Sequence, residues 1–246
     1  MAERNVVLTI EYDGTDFSGW QRQSRRASVA AEIERAIQAV TRERVDLIGA
    51  GRTDAGVHAL GQVANFHTDS RIAVERFPGA LNAHLPRSIR ILSAWDGAPD
   101  FHARYSATGR TYRYAVLNRA APSAILRAHT HHVPAPLDLH AMQKAAIPLL
   151  GTHAFTAFRG VGSGERTTVC ALRRADVARG GEMVLFTFEA DRFLRHMVRL
   201  IVGTLLRVGQ GKLQPEEVAK ILAGEDNQKG GPRAPARGLF LVCVAY

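Results

Sequence analysis

The sequence predicts an α+β fold in two subdomains, each a mainly antiparallel sheet with helices packed on one face. Three observations predict it. Short segments with strand character outnumber helical ones, many neighbouring segments are joined by short turns, and 246 residues suffice for one large domain or two of ordinary size. A hydrophobic content of 46% with 22% charged residues is that of a soluble globular chain. No apolar stretch reaches the ~20 residues needed to span a bilayer.

Taken in order, residues 6–12 alternate as a strand does and end in an Asp13-Gly14 turn. Val29, Ile33, Ala36, Ile37 and Val40 share one helical face, with Ser28 placed to cap it. Residues 46–50 read as a short strand running into a glycine-flanked loop, and 62–67 and 89–95 as further strands. Between these, 72–84 is helical in part, although Pro78-Gly79 works against it. The stretch 100–109 is the predicted boundary, giving subdomains at 1–103 and 104–246.

In the second half, 111–116 alternates, with Tyr112, Tyr114 and Val116 on one face. Residues 139–150 form a helix headed by Asp138 and stopped by Gly151, and 183–189 a strand. Residues 193–208 are apolar on nearly every side, which predicts a buried central helix. A short helix at 215–223 carries Pro215 in its first turn and Gly224 at its end. Residues 227–238, rich in Gly, Pro and basic side chains, are expected to be a mobile loop, and 239–245 a fully buried strand.

The charge points to a partner. There are 32 basic and 23 acidic residues, a formal net charge of +9, and all but four of the basic residues are Arg. Such a surface attracts polyanions and displaces their counterions, so nucleic acid is the favoured ligand. The first residues have no secretory apolar run, and Cys170 and Cys243 match no metal or redox spacing. A cytoplasmic protein with reduced thiols is the expectation.

One loop stands out: Gly49-Ala-Gly-Arg-Thr-Asp-Ala-Gly-Val-His58. Three glycines around one acid permit tight turns and close approach to a ligand. By residue type alone the same loop equally fits a turn whose Asp bonds its own backbone.

This decapeptide resembles the catalytic loop of the tRNA pseudouridine synthase A family, in which the Asp of Arg-Thr-Asp-Ala-Gly-Val-His is the nucleophile. The similarity recurs along the chain in the family's order. It includes Glu11-Tyr-Asp-Gly-Thr-Asp-Phe-Ser-Gly-Trp-Gln-Arg-Gln23 and Gly61-Gln-Val-Ala-Asn-Phe66. It continues in Asp100-Phe-His-Ala-Arg-Tyr-Ser-Ala-Thr108 with Arg113 and its flanking tyrosines, and in Phe193-Leu-Arg-His-Met-Val-Arg-Leu-Ile-Val-Gly203. Ala30, Ala31, Gly109 and Thr111 depart from the family's usual residues.

The resemblance implies a pseudouridine synthase-like fold whose two subdomains flank a basic cleft. It implies a homodimer that isomerises uridine to pseudouridine at positions 38, 39 and 40 of the tRNA anticodon stem-loop. Asp54 would attack either C1′ of the ribose or C6 of the base. Arg199 resembles the family's Arg that pairs with that Asp, and the pairing would hold the carboxylate ionised. Tyr112 resembles the active-site Tyr, whose ring can stack on the extruded uracil and whose hydroxyl could move a proton at C5. Arg52 would fill the space the flipped base leaves, or bind phosphate. His58 is assigned to loop structure. The reaction is a redox-neutral isomerisation, so no cofactor and no metal are expected.

Two other classes share some of these features. A catalytically silent RNA-binding protein would have the same charge but would lack the Asp. A carboxylate glycosidase would need a second acid near Asp54, and Asp13 and Asp69 match no such role. His129, His131, His132 and His140 cluster in the sequence, but their spacing is not that of a metal site, and surface or RNA-facing histidines fit better.

Overall fold

A computed structural model describes residues 4–23, 26–162, 167–224 and 230–246. Its contacts divide into two compact units, Met1–Thr108 with Phe240–Tyr246, and Gly109–Leu239. Each is a mixed α+β unit, and no helix among the described residues is long and apolar enough to cross a membrane.

The first unit runs β1 (Arg4–Tyr12), α1 (Val29–Thr41), β2 (Ile48–Gly49), β3 (His58–Thr68), α2 (Phe77–Asn82) and β4 (Ile89–Gly97). β1 lies between β3 and β4, antiparallel to both, and β2 adds to β3. Val6 faces Phe66 in register and Leu8 faces Ala64, so these share one side of the sheet. On that side Phe77 of α2 meets Phe66 edge-on at 5.8 Å, and α1, which buries Val29, Ile33 and Ile37, packs against α2. Pro78 does not break α2 because it falls in the first turn, where its missing N–H has no intrahelical partner to lose.

The opposite side of this sheet carries Val7 and Val63 and is covered by Phe101, Ala103 and Val244. Two buried amides fix that cover. Asn65 donates to Asn5 Oδ1 at 2.9 Å and accepts from the Ala103 N–H at 2.9 Å. Asn5 donates to the carbonyls of Ala98 and Phe101 at 2.9 and 2.8 Å.

The second unit runs β5 (Gly109–Leu117), β6 (His131–His132), α3 (Leu139–Ala146), β7 (Gly151–Ala154), β8 (Val169–Gly180), β9 (Met183–Ala190), α4 (Met197–Gly209) and α5 (Glu217–Ala223). Its sheet order is β5-β9-β8-β7, antiparallel throughout, with β6 parallel on β5. Tyr112, Tyr114 and Val116 lie opposite Phe188, Phe186 and Val184, which gives one apolar face. Asp138 caps α3 by accepting from the Ala141 N–H. However, α3 ends at Ala146 rather than 150, passing into a 3-10 turn at Ile147–Leu149 that carries Pro148. Gly151, with a φ of 105°, opens β7 instead of stopping the helix. The last strand, β10 (Leu239–Ala245), returns to the first unit and pairs parallel with β3.

Several elements differ from the sequence reading. The final strand, assigned by sequence to 104–246, packs with the first unit from Phe240 on, because its partner is β3. It is also not fully buried: Cys243 and Ala245 are exposed where the strand runs to the edge of its cover. Ser28 occupies the N-cap of α1 but makes no capping bond. The carbonyls of Gly19 and Trp20 accept from Val29 and Ala30 instead, so those two first-turn donors are satisfied by the incoming segment. α4 begins at Met197 rather than 193, because His196 takes a left-handed φ of 62°. Of the expected mobile loop, 227–229 lie outside the described residues, while 230–238 are held by specific bonds described below.

The amide cover gives a direct expectation for stability. Asn65→Ala leaves the Asn5 carboxamide oxygen and the Ala103 N–H buried without partners, which costs about 2 to 4 kcal/mol. Urea unfolding of the variant should show that loss as a lowered midpoint with an unchanged slope.

Candidate active site

The loop from Gly49 to His58 is anchored residue by residue. Pairing of β2 with β3 extends one residue further, as Ala50 donates to the Val63 carbonyl at 2.8 Å. The fully buried Gln62 side chain donates to the Gly51 carbonyl at 2.9 Å. Arg52 is exposed, Thr53 is buried and Asp54 is half-buried. The Thr53 hydroxyl lies 2.7 Å from the Tyr12 hydroxyl in a buried pair, and its carbonyl accepts from Trp20 N–H at 3.1 Å. Asp54 bridges backbone to backbone with Gly19, and its carbonyl accepts from Val57 at 3.1 Å to close the turn.

Gly19 is required at that bridge on two grounds. Its φ is 107°, and a Cβ there would stand 2.6 Å from the Thr53 carbonyl oxygen. Gly56, at φ 74°, donates to Phe17 at 3.3 Å and turns the chain towards His58. His58 is buried, stacks on Phe240 at 4.7 Å, and its Nδ1 accepts from the Gly14 N–H at 3.1 Å. The imidazole therefore ties the end of the loop to the 13–20 segment, the structural use expected of it. Asp13 accepts from the N–H and hydroxyl of Thr15 at 3.0 and 2.5 Å, which makes it a turn residue.

Two stretches that the sequence treats as separate motifs, 11–23 and 49–58, are thus one structure. Tyr12, Trp20 and Gln62 escape sequence reasoning. Gln62 is the readable one, a carboxamide inside an apolar strand. The hydroxyl of Tyr12 gives no such signal, since its ring fits the strand pattern without it.

In the second unit, Tyr112 is buried and meets Phe193 edge-on at 5.1 Å. Tyr114, two residues on, is fully buried and donates its hydroxyl to the Pro235 carbonyl at 2.8 Å. Burial pushes its phenol well above the usual range, with Arg199 and Arg237 pulling weakly the other way. Arg199, on the first turn of α4, is only 8% exposed. Its Nε donates to the Ala234 carbonyl at 2.7 Å while its own carbonyl accepts from Ala234 N–H at 3.0 Å. A guanidinium so withdrawn from water is costly unless other groups compensate its charge.

Of the four clustered histidines, His140 is exposed and His129 half-buried. His132 bonds the Arg119 carbonyl through Nε2 at 2.8 Å. His131 has a buried Nδ1 with no hydrogen-bond partner among the described residues and meets Tyr114 edge-on at 6.2 Å. Burial, then the charges of Arg237 and His132, lower its pKa from 6.5 to about 4.

Comparison with known proteins adds the following. The family described as tRNA pseudouridine synthase matches residues 8–106 and 145–246. Arg52, Asp54 and Arg199 lie inside the matched spans, and Tyr112 falls between them. The tRNA pseudouridine synthase A of Acetivibrio thermocellus is 50% identical over 243 residues, covering 99% of this chain and all of its own length. The protein of that name from a Thermoanaerobacter species is 44% identical with the same coverage. That of Moorella thermoacetica is 45% identical, covering 98% of this chain and 99% of its own.

His131 predicts a stability change with pH. Its folded pKa of about 4 lies below the 6.5 of the free side chain, so the unfolded chain takes up a proton first as the solution is acidified. Stability present above pH 6.5 is lost progressively as the pH falls towards about 4. Melting temperatures across that window should fall less steeply for His131→Leu than for the parent.

Proposed function

The chain belongs to the tRNA pseudouridine synthase family, and from that membership we propose that it isomerises uridine to pseudouridine with Asp54 as the nucleophile. The substrate is the anticodon stem-loop of tRNA, at positions 38, 39 and 40, as the family resemblance implies. One observation carries the reading: the family match runs through the loop in which Asp54 is held backbone to backbone against Gly19. A nucleophile needs that fixity, because misplacement of about 1 Å can cost a hundredfold in rate.

The reaction breaks the N1–C1′ bond, turns the uracil and joins C5 to C1′; C5 then loses its proton and N1 gains one, directly or by exchange with water. Asp54 forms the transient covalent bond, at C1′ or at C6. Arg199 supplies the cation that pairs with that carboxylate, as the family resemblance implies. Its withdrawal from water supports the role, since a desolvated guanidinium favours a carboxylate partner. Tyr112 stacks on the extruded base and serves proton transfer at C5. Arg52, exposed two residues before Asp54, fills the vacated stack or holds a phosphate.

The chain acts as a homodimer in the cytoplasm, again on the strength of the resemblance. The excess of basic over acidic residues supports a polyanionic substrate. A hydrolase reading gains nothing from Asp13, whose carboxylate is engaged in its own turn.

Asp54→Asn should abolish release of tritium from C5-labelled uridine in tRNA while leaving tRNA affinity within a few-fold of the parent. Retained turnover, with deamidation excluded by mass spectrometry, would remove Asp54 from the mechanism. Free uracil from the parent enzyme would instead mark a hydrolase. Affinity for unmodified tRNA should fall log-linearly with rising salt as Arg contacts release counterions. A flat response would mean that the basic surface serves another purpose.

A further inference from the structure

We propose that the strap of residues 230–238 is a positioning device for Arg199 and that the Tyr114 hydroxyl is its anchor. The inference rests on the reading of Arg199 given above.

The strap touches α4 along its length. Gly203 has no side chain where one is impossible: a Cβ would stand 1.8 Å from the Pro232 carbonyl oxygen. Gly231 N–H donates to the Thr204 hydroxyl at 2.8 Å, and Arg207 reaches the Gly230 carbonyl at 3.3 Å. These contacts seat the strap directly on the helix backbone. Ala234 then closes a two-bond ring with Arg199, accepting from its Nε and donating to its carbonyl.

That ring decides where the guanidinium faces. A guanidinium has five N–H donors in a fixed plane. Committing Nε to Ala234 holds the head of the side chain at the strap and leaves the four Nη N–H donors to other partners. Arg199 cannot rotate without leaving the Ala234 carbonyl, and the carbonyl cannot move unless the strap does.

The far side of the strap is held from β5. Tyr114 donates to the Pro235 carbonyl, next along the chain from Ala234, at 2.8 Å. Gly238 lies on the same ring, where a Cβ would be 2.7 Å from Tyr114 Cζ. Arg237 donates from Nε to the Thr130 carbonyl at 3.2 Å. The ring of Tyr114 fills the core as Phe would, and its oxygen is what the strap uses. Burial keeps that phenol protonated and donating across neutral pH. Tyr114 therefore acts through Arg199, whereas Tyr112 is assigned to the base itself.

Tyr114→Phe deletes this one anchor. Its kcat should fall on the order of tenfold with KM for tRNA unchanged. In an Arg199→Leu background the same substitution should change nothing further. The Arg199 Nε–H resonance, identified by its loss in Arg199→Lys, should exchange faster with solvent in Tyr114→Phe. Arg237→Ala, at an exposed position, unties the strap from Thr130 and should reproduce the pattern with a smaller factor. It decides the matter if the Phe variant does not fold.

An unchanged Nε–H exchange rate and kcat in Tyr114→Phe, or an equal loss of kcat in both backgrounds, overturns the positioning role. Arg199→Leu with a parental kcat overturns the role of Arg199 instead, and the Nε–H exchange still reads the strap by itself.

Discussion

Residues 17–20 carry hydrogen bonds on both edges, and the first unit is organised around that short segment. On one edge, Phe17 and Trp20 bond to Gly56 and Thr53, and Gly19 bridges Asp54. On the other, Ser18 and Gly19 bond to Ala27 and Val29, and Trp20 accepts from Ala30 at the start of α1. The Asp54 loop is thereby connected to a helix that is itself packed on the sheet. Rigidity passes from the core to the Asp54 backbone through backbone groups, which do not adopt alternative rotamers. The buried Tyr12–Thr53 hydroxyl pair adds a contact from β1, so the loop is held from three elements.

The second unit solves a related problem with opposite means. Its residue of interest, Arg199, is a charge inside a helix buried on nearly all sides. Nothing about a buried helix favours a guanidinium, and the stabilisation comes from an irregular segment laid along it. Irregular backbone has carbonyls to give, because they are not used up in helix or sheet pairing. The strap supplies one to Arg199 and one to Tyr114, and glycines at 203 and 231 let it approach. A side chain that sequence patterning would place in an oily environment sits against a polar lining instead.

Much of the fold was legible because the patterns are clean: β1, α1, α3, β5 and β9 lie within a few residues of the segments their periodicities mark. β8 was invisible for a definite reason. Its register shifts between Leu172 and Arg174, so buried residues pass from even positions (Cys170, Leu172) to odd ones (Val177), and no single alternation covers the strand. The start of α4 was hidden because His196 adopts a left-handed conformation that its residue type does not advertise. The strap was misread as mobile for the opposite reason: Gly and Pro signal an absence of regular structure, which differs from an absence of contacts. For the site, residue types alone left the Asp54 loop open between a turn and a catalytic loop, and the resemblance singled it out. Of the groups that hold it, Tyr12 and Trp20 are packed where hydroxyl and indole are outweighed by apolar bulk in any periodicity, whereas the Gln62 carboxamide stands out inside an apolar strand.

The return of the last strand to β3 makes the second unit an insertion within the first. During synthesis the first unit's sheet must wait for its Phe240–Tyr246 strand until all of Gly109–Leu239 has been made. Folding of the inserted unit lays Gly238 against β5, near where that unit begins, and so removes most of the closure entropy for the final strand. The two units are then coupled in assembly through chain order alone. Loosening the insertion lengthens the tether to the host's last strand, so a lesion in one unit reports as frayed pairing in the other.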